Sequence, residues 1–109
     1  MNLNIKATNT TATPAIKQFI EEKLSSLEKF LRPEDKIRVE LEVSKKHHTG
    51  LVHRAEIDIQ PHGYYADSRG VDFYAAMDLV MPKIKEQLVK QKDKKVSERR
   101  KVKRLGKGA

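Results

Sequence analysis

Basic side chains are concentrated at one end of this chain, where their charge could bind a polyanion. From residue 83 to residue 109 there are 12 Lys and Arg against 3 Asp and Glu, whereas residues 1–82 carry 11 against 12. The formal charge of +8 of the whole chain therefore resides in its last quarter. A block of like charge repels itself unless an anion neutralises it, which indicates a nucleic-acid partner.

The lysines in this block recur at a helical spacing. On a helical wheel of 100° per residue, Lys83, Lys90, Lys94 and Lys101 fall within about 20° of one line. We call these four residues the lysine row; it runs beside the apolar stripe of the same predicted helix. Lys95 would fall inside that stripe, where an unpaired ammonium is too costly to desolvate. The helix is therefore expected to leave the protein core before Lys95.

Other kinds of chemistry find little support in the sequence. The four histidines, His47, His48, His53 and His62, could suggest a metal site, but no cysteine accompanies them and no pair has the i, i+4 spacing of helical ligands. The sequence has no nucleophile beside a base and no glycine-rich phosphate loop. We expect no metal, no cofactor, no small-molecule substrate and no enzymatic activity.

A membrane role is also not favoured. No apolar run approaches the roughly 20 residues of a membrane span, and the first ten residues lack the pattern of a signal peptide. The apolar face of the basic helix is needed by the core, and the segment after it has no aromatic residue to insert into lipid. A cytoplasmic protein without disulfides is the expectation.

The hydrophobic pattern predicts the elements that carry these residues. Alternation of period two predicts strands near residues 3–7, 37–43, 51–59 and 64–68. Stripes of period 3.6 predict one helix that begins at Thr13 and ends at Leu31, before Pro33, and a second helix that Asp72 caps. The side chains expected to face the core are Ile16, Phe19, Ile20, Leu24, Leu27 and Leu31 on the first helix, and Tyr74, Met77, Val80, Met81, Ile84 and Leu88 on the second.

These elements follow the order β-α-β-β-β-α, which is an α+β fold. A helical crossover between the first two strands favours parallel pairing, and the short loops between the last three favour an antiparallel meander. We expect a four-stranded mixed sheet that buries both helices on one face and leaves charged residues on the other. Residues 1–95 are predicted to form this domain, and residues 96–109 a basic, flexible tail.

Segment 70–78, GVDFYAAMD, resembles the start of the second helix in the ribosome hibernation promoting factors, also called the protein Y or sigma-54 modulation family. The match continues through Lys83, Gln87, Lys90 and the segment 92–94. Upstream, the segments 15–24 and 27–30 look like the first helix of that family. The likeness covers about residues 1 to 95, and its segments come in the family's order.

The resemblance implies a fold akin to double-stranded RNA-binding domains and binding to small-subunit ribosomal RNA in the decoding channel. Messenger and transfer RNA would be blocked there, so translation would stop in starved or stationary-phase cells without catalysis. Carried over by position, the RNA-facing candidates are Lys83, Gln87, Lys90, Lys92 and Lys94 on the second helix and Lys23 and Lys29 on the first. Charge alone adds Arg99, Arg100, Lys101, Lys103 and Arg104.

Three features depart from the family pattern. Pro82 stands where the family usually has a polar helix former, so a kink is expected there. Glu86 stands where a basic residue is common. The end of the chain is basic, whereas the translation-inhibitor paralogue of the family ends in a less basic extension. The short hibernation promoting form is therefore the closer match, and the resemblance implies that the protein helps to join two ribosomes together with a separate ribosome modulation factor.

A second hypothesis stays open at the level of sequence. Many small basic domains bind RNA duplexes in general, so a structural or RNA-chaperone protein without ribosome specificity would carry the same charge. The two hypotheses differ in what they predict for a competition between ribosomes and bulk duplex RNA.

Overall fold

The computed structural model describes residues 2–46 and 50–108, with side chains for residues 2–45 and 50–90. The elements in chain order are β1 (Asn2–Thr8), α1 (Pro14–Ser25), a 3₁₀ turn (Glu28–Phe30), β2 (Lys36–Lys46), β3 (Gly50–Gln60), β4 (Tyr64–Gly70) and α2 (Phe73–Gly108). The order β-α-β-β-β-α predicted from the hydrophobic pattern is confirmed.

The four strands form one sheet in the order β1-β2-β3-β4. β1 runs parallel to β2, which requires the crossover that α1 supplies, while β2, β3 and β4 are successively antiparallel. Both helices cover the same face of this sheet, as the patterning predicts. β1 and β4 are consequently the two edge strands.

α1 begins where the sequence indicates but ends earlier. The Thr13 hydroxyl accepts a hydrogen bond from the Ile16 amide at 3.2 Å, and Pro14 occupies the first helical position. The prediction that this helix reaches Leu31 is wrong, because Ser25 and Ser26 donate their hydroxyls to backbone carbonyls three residues back, each at 2.7 Å. The chain then tightens into the 3₁₀ turn.

α2 begins as predicted, with the Asp72 carboxylate accepting from the Ala75 amide at 2.7 Å. One expected core residue of this helix is misplaced, since Tyr74 is 44% exposed. Its ring packs edge-to-face against Phe19 at 4.8 Å, on the rim of the core. Phe73 packs against the core and meets the His53 ring of β3 with centroids 4.8 Å apart.

The core lies between the helices and the sheet. Its buried side chains on the helical side are Ile16, Ile20, Leu24, Leu27, Ala76, Met77, Val80, Ile84 and Leu88, and those on the strands are Ile37, Val39, Leu41, Ala55, Ile57, Ile59 and Ala66. Leu88 is the last buried residue of α2 among the described side chains. Within the described side chains, the core therefore anchors α2 through residues of its first half.

A buried carboxylate ties two turns together at one end of the sheet. The Asp35 side chain is 1% exposed and lies 2.7 Å from the Nδ1 atom of His62, which belongs to the turn between β3 and β4. Its other oxygen accepts from the Arg32 amide at 2.8 Å. The His62 ring also stacks on Tyr64, with ring centroids 5.2 Å apart.

We expect Asp35→Ala to lower the free energy of unfolding by about 2 to 3 kcal/mol, because it leaves the Arg32 amide and the His62 ring without their shared acceptor. Urea denaturation monitored by circular dichroism measures this difference. Glu34→Ala, which removes an exposed carboxylate next to Asp35, is the matched control and should change stability by less than about 0.5 kcal/mol. Equal unfolding midpoints for the two variants would contradict a structural role for the buried pair.

Candidate nucleic-acid interface

The described part of α2 carries exposed lysines on both flanks of its buried stripe. Lys83, Lys85 and Lys90 are all exposed to solvent. Lys83 also reaches β4, where its ammonium donates to the Asp67 carbonyl at 2.9 Å. These cations are available to a ligand that approaches the helices.

Lys90 has an acidic neighbour one helical turn earlier. Its ammonium lies 2.8 Å from a Glu86 carboxylate oxygen, and the two side chains are 74% and 63% exposed. The hydrogen bond from Lys90, followed by the attraction of its charge, lowers the pKa of the Glu86 carboxyl. At neutral pH Glu86 therefore offsets part of the positive charge that Lys90 presents.

Gln87 occupies a different environment from the lysines. Its side-chain oxygen accepts from the Tyr65 amide at 3.1 Å, and its side-chain nitrogen donates to the Tyr65 carbonyl at 2.6 Å. The residue is half-buried. The structure thus places this predicted RNA-facing residue against the edge strand β4.

The two candidates outside α2 lie on the same helical layer. Lys23 of α1 pairs with Asp78 of α2 at 3.2 Å, and its ammonium also lies 5.3 Å from the centre of the Phe19 ring. Lys29 belongs to the 3₁₀ turn rather than to the first helix as expected, because α1 ends at Ser25. Its ammonium lies 5.2 Å from the centre of the Phe30 ring. The helical layer therefore adds one exposed cation, Lys29, and one partly buried cation that is already paired, Lys23.

On the open face of the sheet, the guanidinium of Arg54 is already paired with carboxylates. Arg54 contacts Asp67 at 2.9 Å, Glu56 at 3.0 Å and Glu42 at 3.8 Å. Burial acts to lower the pKa of Arg54, but its hydrogen bonds to Asp67 and Glu56 raise that pKa above the ordinary value. Since its guanidinium is neutralised in this way, Arg54 itself offers little attraction to a polyanion.

Several predicted residues lie beyond the described side chains. Lys92, Lys94, Arg99, Arg100, Lys101, Lys103 and Arg104 are on the backbone of α2, and His47 and His48 are in the segment between β2 and β3. The boundary predicted between residues 95 and 96 falls within α2 and stays a prediction. Among the described residues, no group of three or more His, Cys, Asp or Glu could hold a metal ion. Within the same residues, neither helix has an apolar stretch long enough to cross a membrane.

Comparison with known proteins places this arrangement in a family. The sequence profile of the sigma 54 modulation protein / S30EA ribosomal protein family matches residues 3–96. The chain belongs to this family. The resemblance found in segment 70–78 is thereby confirmed.

Relatives in the S30EA family cover nearly all of the described fold. The chain is 34% identical over 94 residues to the ribosome hibernation promoting factor of Escherichia coli K12, and this alignment covers 86% of this chain and 96% of the relative. It is 31% identical over 98 residues to the ribosome hibernation promoting factor of Azotobacter vinelandii, with 88% and 87% of the two chains covered. The crystal structure of the Thermus thermophilus Protein Y N-terminal domain matches with a TM-score of 0.67 and 28% identity, over 81% of this chain and 96% of that domain.

Two contacts within this S30EA domain escaped the sequence analysis. The Glu86–Lys90 pair has the i, i+4 spacing that a sequence displays, so it could have been anticipated. The pairing of Gln87 with Tyr65 joins residues 22 positions apart. No local pattern announces such a contact, because it depends on how α2 packs across the sheet.

Proposed function

We propose that this protein is a ribosome hibernation factor that binds small-subunit ribosomal RNA in the decoding channel. There it occupies space that messenger and transfer RNA need, and translation stops without any chemical step. Its place of action is the cytoplasm of starved or stationary-phase cells. Membership of the S30EA family and the name of the relatives that it matches over most of their length support this proposal.

The observation that carries the proposal is the unequal distribution of usable cations. Lys29, Lys83, Lys85 and Lys90 are exposed on the helical layer, and the partly buried Lys23 lies beside them in an ion pair with Asp78. On the opposite face, the Arg54 guanidinium is held by three carboxylates. RNA phosphates are therefore attracted to the helices, and the same side leads into the basic half of α2.

This binding mode is electrostatic and non-catalytic. Each lysine that meets a phosphate releases condensed counterions, so the affinity should fall steeply as salt concentration rises. Residues 1–82, which are close to neutral, supply the body that fills the channel. The basic end supplies the attraction to RNA. Joining of two ribosomes, together with a separate ribosome modulation factor, is a further part of the proposal.

A competition experiment tests the proposal against general RNA binding. Labelled protein is bound to small ribosomal subunits at about 150 mM salt, and a 100-fold excess of unrelated duplex RNA is added before sedimentation. We expect the protein to remain with the subunits and to inhibit in vitro translation at one copy per ribosome. Displacement by the duplex, with translation unaffected, would instead support a general RNA-binding protein.

A further inference from the structure

The free edge of β4 carries backbone groups that need partners. β4 is an edge strand, and Tyr65 and Asp67, two residues apart, point the same backbone groups away from β3. An exposed edge of this kind is a template for pairing with another chain unless it is covered. In this protein the partners come from α2.

Two side chains of α2 meet three of these edge groups. Gln87 accepts from the Tyr65 amide and donates to the Tyr65 carbonyl, at 3.1 and 2.6 Å, so its carboxamide pairs as a peptide group of a neighbouring strand would. Lys83 donates to the Asp67 carbonyl at 2.9 Å. Lys83 and Gln87 are four residues apart and therefore share one face of the helix. We call Tyr65, Asp67, Lys83 and Gln87 together the edge clamp.

The edge clamp lies where the direction of α2 relative to the sheet is least fixed by other contacts. Pro82 lies inside the helix and lacks the amide that would bond to the Asp78 carbonyl, which weakens the helix at that turn. Lys83 and Gln87 follow immediately, and Leu88 is the last buried side chain of α2 among those described. The clamp thus holds the helix to the sheet between its weak turn and the end of the core.

Beyond Gln87, a small change in the direction of α2 produces a larger displacement at its far end. Residues 91–108 at 1.5 Å per residue extend for about 27 Å, and a tilt of about 10° at Gln87 would displace the far end by about 5 Å. A shift of that size is comparable with the spacing between neighbouring phosphates. Small changes at the clamp therefore alter which phosphates the basic half of α2 can reach.

We infer that Gln87 is a positioning residue for RNA binding, which sets the direction of α2 through the backbone of Tyr65 and does not itself contact RNA. This inference rests on the proposed function and assigns a role to one residue within it. A direct contact would require Gln87 to give up both bonds to Tyr65 and to uncover the edge of β4. Lys90, 74% exposed and three residues further on, can meet RNA while giving up no more than an exposed ion pair with Glu86.

Hydrogen exchange at the Tyr65 amide reports on the clamp directly. The amide is measured by NMR in the free protein, and by mass spectrometry of peptides that contain it in the complex with small subunits. We expect protection in both states for the unmodified chain. Gln87→Met, which keeps the length of the side chain and removes its hydrogen bonds, should speed exchange of this amide in the free protein about tenfold.

Binding measurements then separate positioning from a purely structural role. Gln87→Met should weaken subunit binding about tenfold without changing the slope of log affinity against log salt, because no phosphate contact is removed. The matched control, Lys90→Gln, should lower that slope by about 0.7 to 0.9 and leave the Tyr65 amide protected.

Two results would overturn the inference. One is faster exchange of the Tyr65 amide when the unmodified protein binds subunits, since Gln87 would then have moved to the RNA; this result is decisive even if Gln87→Met fails to fold. The other is unchanged subunit binding by folded Gln87→Met. If the unmodified protein does not bind subunits at all, the proposed function fails, while exchange in the free protein still shows whether the clamp forms.

Discussion

A chain that ends at Lys90 is expected to keep its fold and to lose at least about 100-fold of its affinity for small ribosomal subunits at 150 mM salt. Among the described side chains, all those buried in the core precede residue 90. Residues 91–109 contain nine Lys and Arg against two acidic residues, so their removal takes away most of the net charge of the protein. Sedimentation binding at several salt concentrations measures both the affinity and its salt slope.

The matched control for this truncation is a full-length chain in which the nine basic residues of 91–109 are replaced by Gln. If charge is the cause, the control should bind as weakly as the truncated chain and show the same reduced salt slope. Circular dichroism should report a cooperative unfolding transition for both. Full inhibition of translation by the folded truncated chain would remove the basic segment from the mechanism.

Gly70→Val should destabilise the fold by about 3 kcal/mol, because β4 ends in direct contact with the first turn of α2. A Cβ atom at residue 70 would lie 2.8 Å from the Ala76 nitrogen and 2.9 Å from the Ala75 Cβ. The closest of these atoms is backbone, so no side-chain rotation relieves the clash. The strand and the helix would have to separate.

Urea denaturation of Gly70→Val against Arg69→Val checks this expectation. Arg69 precedes the glycine on the exposed side of β4, where the same new side chain meets solvent, and should change stability by less than about 0.5 kcal/mol. Because the clash pushes on the start of α2, ribosome binding by Gly70→Val should weaken as well. Equal stability of the two variants would show that strand and helix can move apart freely.

The periodic parts of the sequence were sufficient for the architecture. Alternation in residues 37–43 and 51–59 predicts the two long central strands, and Thr13 and Asp72 mark the starts of both helices. The hydrophobic pattern alone failed to predict the end of α1, where helical apolar spacing competes with side-chain hydrogen bonds to the backbone. Leu27 keeps the apolar spacing of a helix, yet the serines before it draw the chain into a 3₁₀ turn that still buries its side chain.

The candidate site was predictable to the extent that it depends on charge. Lys83 and Lys90 are exposed on the helical layer as their helical spacing and their match to the family suggested, whereas Lys23, which only the family match suggested, is partly buried beside Asp78. Gln87 matched the family equally well, but its contacts could not be read from its neighbours in the chain. Its side-chain carboxamide pairs with the backbone of Tyr65, 22 residues earlier in the chain, and that pairing exists only after the helix has packed on the sheet.

The sequence by itself determined the charge of this protein, the order of its elements and most of the residues that form its core, because charge and hydrophobic period are properties of the chain. Only the tertiary structure decided which cations remain available and which polar side chains are occupied inside the molecule. Arg54 and Gln87 show the reason: hydrogen bonds between distant segments depend on the distances and directions that packing creates. No local pattern encodes those distances.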